Sequence, residues 1–291
     1  MIRKGENSEL DALISLLDEP DDEIFVQIRN KISTYGTDAI SSLEMAWDSS
    51  LDQLIQNRIE NIIHEIQLNN IIFELNKWHH YDFKDLLKGF MLVAKYQYPD
   101  LIEKNITDKL GQIIQDVWLE LNNNLTPLEK VKVLNHIFFD VHEFSANKSN
   151  LYAPQNSFIN TIFETKKANP ISLSIIYMVV AQSLRIPVYG INLPQNFILA
   201  YADQMVGENT KIQRGNILFY INAFNKGAVF TKREVELFIK QLNLKDDDSY
   251  FLPCTNNDII RRVFNNLLFT YESLGMPDKV SEIKRILSAL D

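Results

Sequence analysis

Side chains that could act as nucleophiles or bases are few in this chain, and the sequence keeps them apart. Cys254 is the only cysteine. Ser172 and Ser174 lie in the first turn of a predicted central helix, where a nucleophile would be well placed. The histidines all precede residue 143: His64, His79, His80, His136 and His142. A serine or thiol nucleophile needs a neighbouring base, so chemistry of this kind requires tertiary folding to bring one from elsewhere.

Metal-binding patterns are weak. Glu60 and His64 are four residues apart on one predicted helix, a spacing that supports a helix more often than it holds an ion. His79 and His80 are adjacent and point about 100° apart on a helix, so they cannot easily share one metal. We expect no metal site and no other cofactor.

The segment from residue 156 to 227 carries the most informative motifs. Four of them follow one another in order: Asn169–Ser174 (Asn-Pro-Ile-Ser-Leu-Ser), Leu184–Gly190 (Leu-Arg-Ile-Pro-Val-Tyr-Gly), Pro194–Phe197 (Pro-Gln-Asn-Phe) and Asn222–Gly227 (Asn-Ala-Phe-Asn-Lys-Gly). This set resembles the SirB-type branch of the transglutaminase-like superfamily, whose members carry similar stretches. The resemblance extends over most of the chain, including Arg58–Glu60, Tyr96–Pro99 and a tetratricopeptide-like tail.

The resemblance implies the fold of a thiol enzyme in which the residues at the catalytic positions have been replaced. In catalytic members of the superfamily a cysteine begins the central helix, a histidine on the next strand acts as base, and a further polar residue orients it. The motifs place these positions at Pro170, Asn196 and Asn222. Proline has no nucleophile, and an asparagine amide cannot take up a proton near neutral pH. Asn222 keeps the shape of an aspartate without its charge.

Two hypotheses in which a cysteine or a serine acts as nucleophile remain open. Cys254 could form a dyad with a distant histidine, although it is more simply a small residue beside Pro253 near a helix start. Ser172 and Ser174 could act with a relocated base, but they more simply bond the backbone or pack against the sheet. Both alternatives predict an imidazole or a carboxylate within hydrogen-bond reach of the nucleophile, in a pocket.

Hydrophobic periodicity predicts a mostly helical α+β protein. Helical patterns fill the first half, and residues 1–104 form a repeat-like helical region. Residues 105–245 form the transglutaminase-like (papain-like) core, a central helix with a small antiparallel sheet. Three short β-branched and aromatic runs predict the strands: 188–193, 197–201 and 217–221. Residues 246–291 form a helical hairpin that cannot bury its own apolar face, so we expect it to dock on the core.

Starts of individual helices are also readable. Thr126–Glu129 and Thr231–Glu234 have the capping-box pattern, and Asn169 followed by Pro170 is a favourable start for the central helix. Arg261 and Arg262 form too short a pair to be a basic patch, so we expect them on a solvated helix face.

Composition limits the partners. The net charge is −9, which opposes binding to nucleic acid, and lysines and arginines are scattered. The longest apolar stretch, residues 171–184, is interrupted by polar residues and is shorter than the roughly 20 residues that span a bilayer. The chain starts with polar residues and shows no signal-peptide core, so we expect a cytoplasmic protein without membrane contact.

Together these features favour a non-catalytic protein-interaction or regulatory module. Its old substrate groove, near Pro170, Asn196 and Asn222, could hold an unknown peptide or protein through neutral side chains. Asn169, Ser172 and Ser174 are the other groove residues that could bind. The alternative is a hydrolase or acyl-transferase that uses Ser172 or Cys254 with relocated partners.

Overall fold

The computed structural model describes residues 4–205, 212–245 and 247–290 and divides the chain into two compact units, Met1–Asn76 and Lys77–Asp291. Met1–Arg3, at the polar start of the chain, and Asp246, where the tail was expected to begin, lie outside the described residues. The protein is mostly helical with two small sheets, which confirms the expected α+β class. No helix in the described part combines the length and the apolar character needed to cross a bilayer.

The first unit is helical. Its helices are α1 (Lys4–Ile14), α2 (Asp22–Ser33), α3 (Ile40–Ser49) and α4 (Gln53–Lys77). They bury one apolar cluster, in which Leu10, Ile32 and Ile59 are fully inaccessible. Arg58 stacks on Phe25 and donates through Nη1 to two backbone carbonyl oxygens just after α1, at 2.8 and 2.7 Å. Arg58 therefore donates to backbone carbonyl oxygens that follow the C-terminus of α1 and lie outside any helix.

The second unit contains eight helices within the described residues. They are α5 (Leu86–Gln97), α6 (Glu103–Glu120), α7 (Pro127–Asn135), α8 (Ile159–Thr165), α9 (Pro170–Ser183), α10 (Lys232–Gln241), α11 (Asn256–Ser273) and α12 (Pro277–Ser288). Both predicted capping boxes are present, with Thr126 and Glu129 bonded reciprocally at α7 and the equivalent pair at α10. A third box, at Thr255 and Asp258, starts α11.

Two sheets complete the second unit. The strands are β1 (Ser145–Ala146), β2 (Lys167–Ala168), β3 (Val188–Ile191), β4 (Ile198–Ala202), β5 (Ile217–Asn222) and β6 (Ala228–Phe230). The first two pair in parallel, and the others form an antiparallel sheet in the order β3-β4-β5-β6. The three predicted strands are confirmed. β6 was not predicted because it has only three residues and lies largely exposed at the sheet edge.

Helix α9 is the buried centre of this unit. Its residues are almost all inaccessible, and it packs against β3 and β4 on one side and against α5, α6 and α11 on others. An apolar helix surrounded in this way needs no polar face, which explains why its sequence shows no amphipathic pattern.

The tail hairpin docks on the rest of the second unit, as expected. α11 packs against α5, α9 and the short turn Pro154–Ser157. Tyr96 in α5 donates to a carboxylate oxygen of Glu282 in α12 at 2.6 Å, and Lys279 pairs with the same carboxylate. The tail is therefore held by apolar packing and by a polar contact.

Helix α5 belongs to the second unit, together with α9 and the antiparallel sheet. Its apolar residues, including Phe90 and Val93, are fully buried, and it contacts α8, α9 and α11. The sequence assigned residues up to 104 to the N-terminal region because local periodicity shows which face of a helix is apolar but not which neighbour covers it.

Candidate functional site

The start of α9 has the predicted cap. Asn169 Oδ1 accepts the Ser172 N–H at 3.0 Å, and Pro170 occupies the first helical position. Proline removes one N–H, the cap uses another, and the Ile171 N–H is left without an acceptor within the helix. The start of α9 is thus capped, with a proline at its first position.

Asn196 and Asn222 lie at the same end of the antiparallel sheet. Asn196 is in the turn before β4, directly after Gln195, whose φ is +60°. Asn222 ends β5. Because Leu199 pairs with Ile221 in the register of these strands, the two asparagines flank that paired end.

The two asparagines differ in what their side chains do. Asn222 Oδ1 accepts the Asn225 N–H at 3.2 Å and caps the turn Ala223–Asn225. Among the described residues, Asn196 Oδ1 accepts only the neighbouring Phe197 N–H, at 2.9 Å, and none accepts a bond from its NH₂ group. Asn222 therefore has a structural bond to the turn, whereas Asn196 keeps its donors.

A cavity of about 160 Å³ opens at the start of α9. Of the residues expected at the site, Asn169, Pro170 and Asn196 line it. Asn222, Ser172 and Ser174 are not among its lining residues. The cavity holds the volume of about five water molecules at ~30 Å³ each, which is smaller than the roughly 300 Å³ of a drug-sized ligand pocket. It suits one side chain better than a whole cofactor.

The tail hairpin and a loop supply the rest of the lining, which sequence reasoning missed. Tyr152, from the loop before α8, and Phe269, from α11, contact each other with ring centroids 5.6 Å apart. They are 62% and 55% exposed, and we call this pair the aromatic rim. Arg262 and Asn266, one turn apart on α11, line the interior.

Arg262 corrects the expectation of a solvated arginine pair. Its side chain is half-buried and its Nη1 donates to the Asn192 side chain and, at 2.7 Å, to the Leu193 carbonyl oxygen. Arg261 also donates inward, to the Leu290 carbonyl. One signal was available: Arg262, Asn266 and Thr270 recur every four residues, beside the apolar stripe of α11.

The lining is rich in amides and poor in groups that transfer protons. Among the described residues, those that line the cavity include no imidazole, thiol or carboxylate. Cys254 does not line it, and its Sγ donates to the Gly190 carbonyl oxygen at 3.3 Å. Burial, with a smaller effect from Asp258, raises the pKa of this thiol to about 12. A thiol with that pKa is almost entirely protonated at neutral pH and is a poor nucleophile.

The serines are equally inaccessible. Ser174 Oγ donates to the Pro170 carbonyl at 2.8 Å, the backbone bond expected of a serine inside a helix. Ser172 is fully buried, and its Oγ has no partner in the described structure. No bond links either hydroxyl to an imidazole or a carboxylate within the described residues.

Two of the histidines lie beside carboxylates and do not line the cavity. His142 Nε2 lies 2.8 Å from a carboxylate oxygen of Asp116, and His136 lies near Asp140. Glu60, four residues before His64 on α4, accepts a bond from Trp47 Nε1 at 2.9 Å. In the described part of the chain, no three His, Cys, Asp or Glu side chains cluster as metal ligands would.

Hydrogen bonds through Asn135 connect the turn between β5 and β6 to α9. Tyr177 OH donates to Asn135 Oδ1 at 2.9 Å, and Asn135 Nδ2 donates to the Gly227 carbonyl at 2.9 Å. Gly227 has φ +70°, and a Cβ there would lie 1.9 Å from Asn135 Oδ1. The backbone conformation thus favours glycine, and the close approach requires it.

Comparison with known proteins shows which family the sequence resembles. The family model of the transglutaminase-like superfamily matches residues 104–265, which include Pro170, Asn196, Asn222 and Arg262. A UPF0162 protein of Xylella fastidiosa (strain 9a5c) is 35% identical over 204 residues, 67% of this chain and 68% of that protein. The UPF0162 protein PM0557 of Pasteurella multocida is 23% identical over 65% of this chain and 72% of its own.

A eukaryotic protein is also similar. F-box only protein 21 of Mus musculus is 26% identical over 183 residues, which are 63% of this chain but 27% of that protein. No solved structure matches the chain. The extent of the family match and the similarity to the Xylella protein lead to one conclusion: the chain belongs to the transglutaminase-like superfamily.

Proposed function

We propose that this protein is a non-catalytic interaction module that binds an extended peptide segment of a protein partner in the cavity at the start of α9. The observation that carries the proposal is the lining itself. The cavity is lined by Pro170 and Asn196, two of the three positions to which the resemblance assigns the family's chemistry, and it offers amides, aromatic rings and one guanidinium. Such groups bind peptides, and aromatic and arginine side chains dominate the energy of many protein interfaces.

Three finer assignments accompany this proposal. The four ordered motifs support membership of the SirB-type branch. The hairpin of α11 and α12, with Gly275 between them, supports a tetratricopeptide-like tail. A cytoplasmic location is the third part of the same proposal.

The alternative, a hydrolase or acyl-transferase, has no observation in its favour. Ser172 is fully buried and Ser174 is bonded to a backbone carbonyl. Cys254 has a raised pKa and lies outside the cavity. We expect the purified protein to show no amine incorporation, deamidation or peptidase activity. Turnover above the buffer blank that disappears in Cys254→Ser or Ser172→Ala would favour the alternative.

The test of binding uses the aromatic rim. Tyr152→Ala and Phe269→Ala remove exposed rings, so they should leave the fold intact. Tyr81→Ala is the matched control, because Tyr81 is 81% exposed and does not line the cavity. We expect a peptide array probed with wild type to give spots that both rim variants lose and the control keeps. Spots that persist in the double rim variant would place binding elsewhere.

Asn222 is a poor choice for such a test. Because its side chain caps the turn after β5, Asn222→Ala would change the sheet edge as well as any contact to a ligand. Asn196→Ala is cleaner, since Asn196 lines the cavity and bonds only its own neighbour.

A further inference from the structure

Arg262 is a half-buried cation without an anionic partner. No ion pair joins it to any described carboxylate, and its bonds to Asn192 and Leu193 both use Nη1. Within the described residues, nothing accepts a bond from Nε or Nη2. Burial lowers the pKa of Arg262, as expected for a charge that is partly removed from water.

Among the described residues, Asp258 is the one carboxylate that shares a cavity lining with Arg262, and its Oδ2 is bonded to Thr255. It lies one turn before Arg262 on α11, and both line a second, adjacent cavity. Asp258 Oδ2 accepts the backbone N–H of Thr255 at 2.9 Å and its hydroxyl at 2.7 Å. The carboxylate therefore caps the helix start, and the guanidinium keeps its free edge.

The main cavity is complementary to an anion in other respects. Asn266 lies one turn beyond Arg262 on α11, and no described residue is bonded to its amide. No described residue accepts a bond from the NH₂ group of Asn196 or from the Ile171 N–H, which belongs to the positive end of α9. None of the described lining residues carries a negative charge.

We propose that the cavity binds the carboxylate of an acidic side chain, Glu or Asp, on an extended peptide, with Arg262 as the anchoring residue. This inference rests on the proposed peptide-binding function and names the chemistry of the ligand. A guanidinium edge accepts a carboxylate with two parallel hydrogen bonds. A phosphate dianion would call for more than the single cation in this lining.

A side chain fits this site better than a chain terminus does. Terminal carboxylates are captured by several successive backbone N–H groups. Here Pro170 has no N–H, and the Ser172 N–H is already used by Asn169, which leaves only the Ile171 N–H. The cavity volume of about 160 Å³ also matches one side chain, while the aromatic rim can contact the flanking residues.

The test compares short peptide pools with an acetylated N-terminus and a central Glu, Asp, Gln or Lys. Each pool is made with an amidated C-terminus and, separately, with a free C-terminal carboxylate. Binding is measured by fluorescence anisotropy. For wild type we expect the Glu or Asp pool to bind about 10- to 100-fold more tightly than the Gln pool, the range for a charge-assisted hydrogen bond. Arg262→Gln should abolish that preference. Arg233→Gln, which removes the same charge from an exposed position, should preserve it.

A second variant avoids dependence on Arg262, which also holds the 192–193 turn. Asn266→Glu places a carboxylate four residues after Arg262, within reach of the guanidinium. We expect this variant to fold normally and to lose binding of the acidic pools. Retained tight binding of the acidic pools by both Asn266→Glu and Arg262→Gln would overturn the inference.

The outcomes separate the two proposals. If the Gln pool binds wild type as tightly as the Glu pool and the rim variants abolish both, the acidic specificity is wrong and peptide binding stands. If no pool binds, or if the rim variants change nothing, the proposed function itself fails. Tight binding only by pools with a free C-terminal carboxylate would replace the side chain by a chain terminus and overturn the inference.

Discussion

Gly227→Ala is the substitution for which the structure gives the clearest expectation. Gly227 lies in the turn between β5 and β6 with φ +70°, and an added Cβ would meet the Asn135 side chain at 1.9 Å. Asn135 would have to move away. That movement breaks its bond to the Gly227 carbonyl and its bond from Tyr177 OH, both 2.9 Å long.

The cost has two parts. A residue other than glycine in the left-handed region costs about 1–2 kcal/mol. Tyr177 is fully buried, so its hydroxyl would be left unsatisfied, which costs about 1–3 kcal/mol more. We therefore expect Gly227→Ala to lower the free energy of unfolding of the second unit by about 2–5 kcal/mol.

Gly275→Ala is the matched control. Gly275 has φ +67°, and nothing lies within 4 Å of a Cβ at that position. It should show only the backbone cost, about 1–2 kcal/mol. Amide hydrogen exchange of α9, measured by mass spectrometry, reports the opening free energy of this unit alone.

The comparison of the two glycines decides the outcome. If α9 amides in Gly227→Ala are protected as well as those in Gly275→Ala, the contact of Gly227 with Asn135 does not hold the sheet edge to α9. The packing described around the site would then be incorrect.

Three further substitutions test the site and the tail. Burial raises the pKa of Cys254 to about 12 from a usual value near 9. The thiol therefore ionises first in the unfolded state, and the free energy of unfolding of the wild type should fall as pH rises from about 9 towards 12. Urea titrations across that interval should show a smaller fall for Cys254→Ser. Asn169→Ala removes the cap on Ser172 and should cost about 1 kcal/mol, seen as faster exchange in the first turn of α9. Tyr96→Phe removes one hydrogen-bond donor from the largely buried carboxylate of Glu282. It should lower the free energy of unfolding by about 1–3 kcal/mol, seen as faster amide hydrogen exchange in α12. Unchanged exchange would mean that this bond does not secure the tail.

Local chemistry made much of the core predictable. Asn169 and Pro170 identify the start of α9 because a side-chain cap and a fixed φ act within one turn. The three β-branched and aromatic runs identify β3, β4 and β5 because all three pack against buried neighbours. The parallel pair β1 and β2 was missed, since two-residue strands give no periodicity.

The candidate site was only half predictable. The motifs predict Pro170, Asn196 and Asn222 as site positions. The first two line the cavity, whereas Asn222 caps a turn and is not among the lining residues. Arg262 and Phe269 come from α11, far along the chain, and their position depends on how the hairpin docks. Local sequence patterns do not encode such long-range packing. The pattern of Arg261 and Arg262 therefore predicts a solvated pair, whereas both side chains donate to backbone carbonyls.

The central claim is that this cavity binds a peptide and leaves it chemically unchanged. The most direct measurement incubates the protein with the Glu- and Gln-centred pools and a primary amine, recovers the bound peptides and determines their masses. We expect bound peptides of unchanged mass from wild type and none from the double rim variant. Deamidated, cleaved or amine-linked peptides that are absent from the buffer blank would contradict the claim.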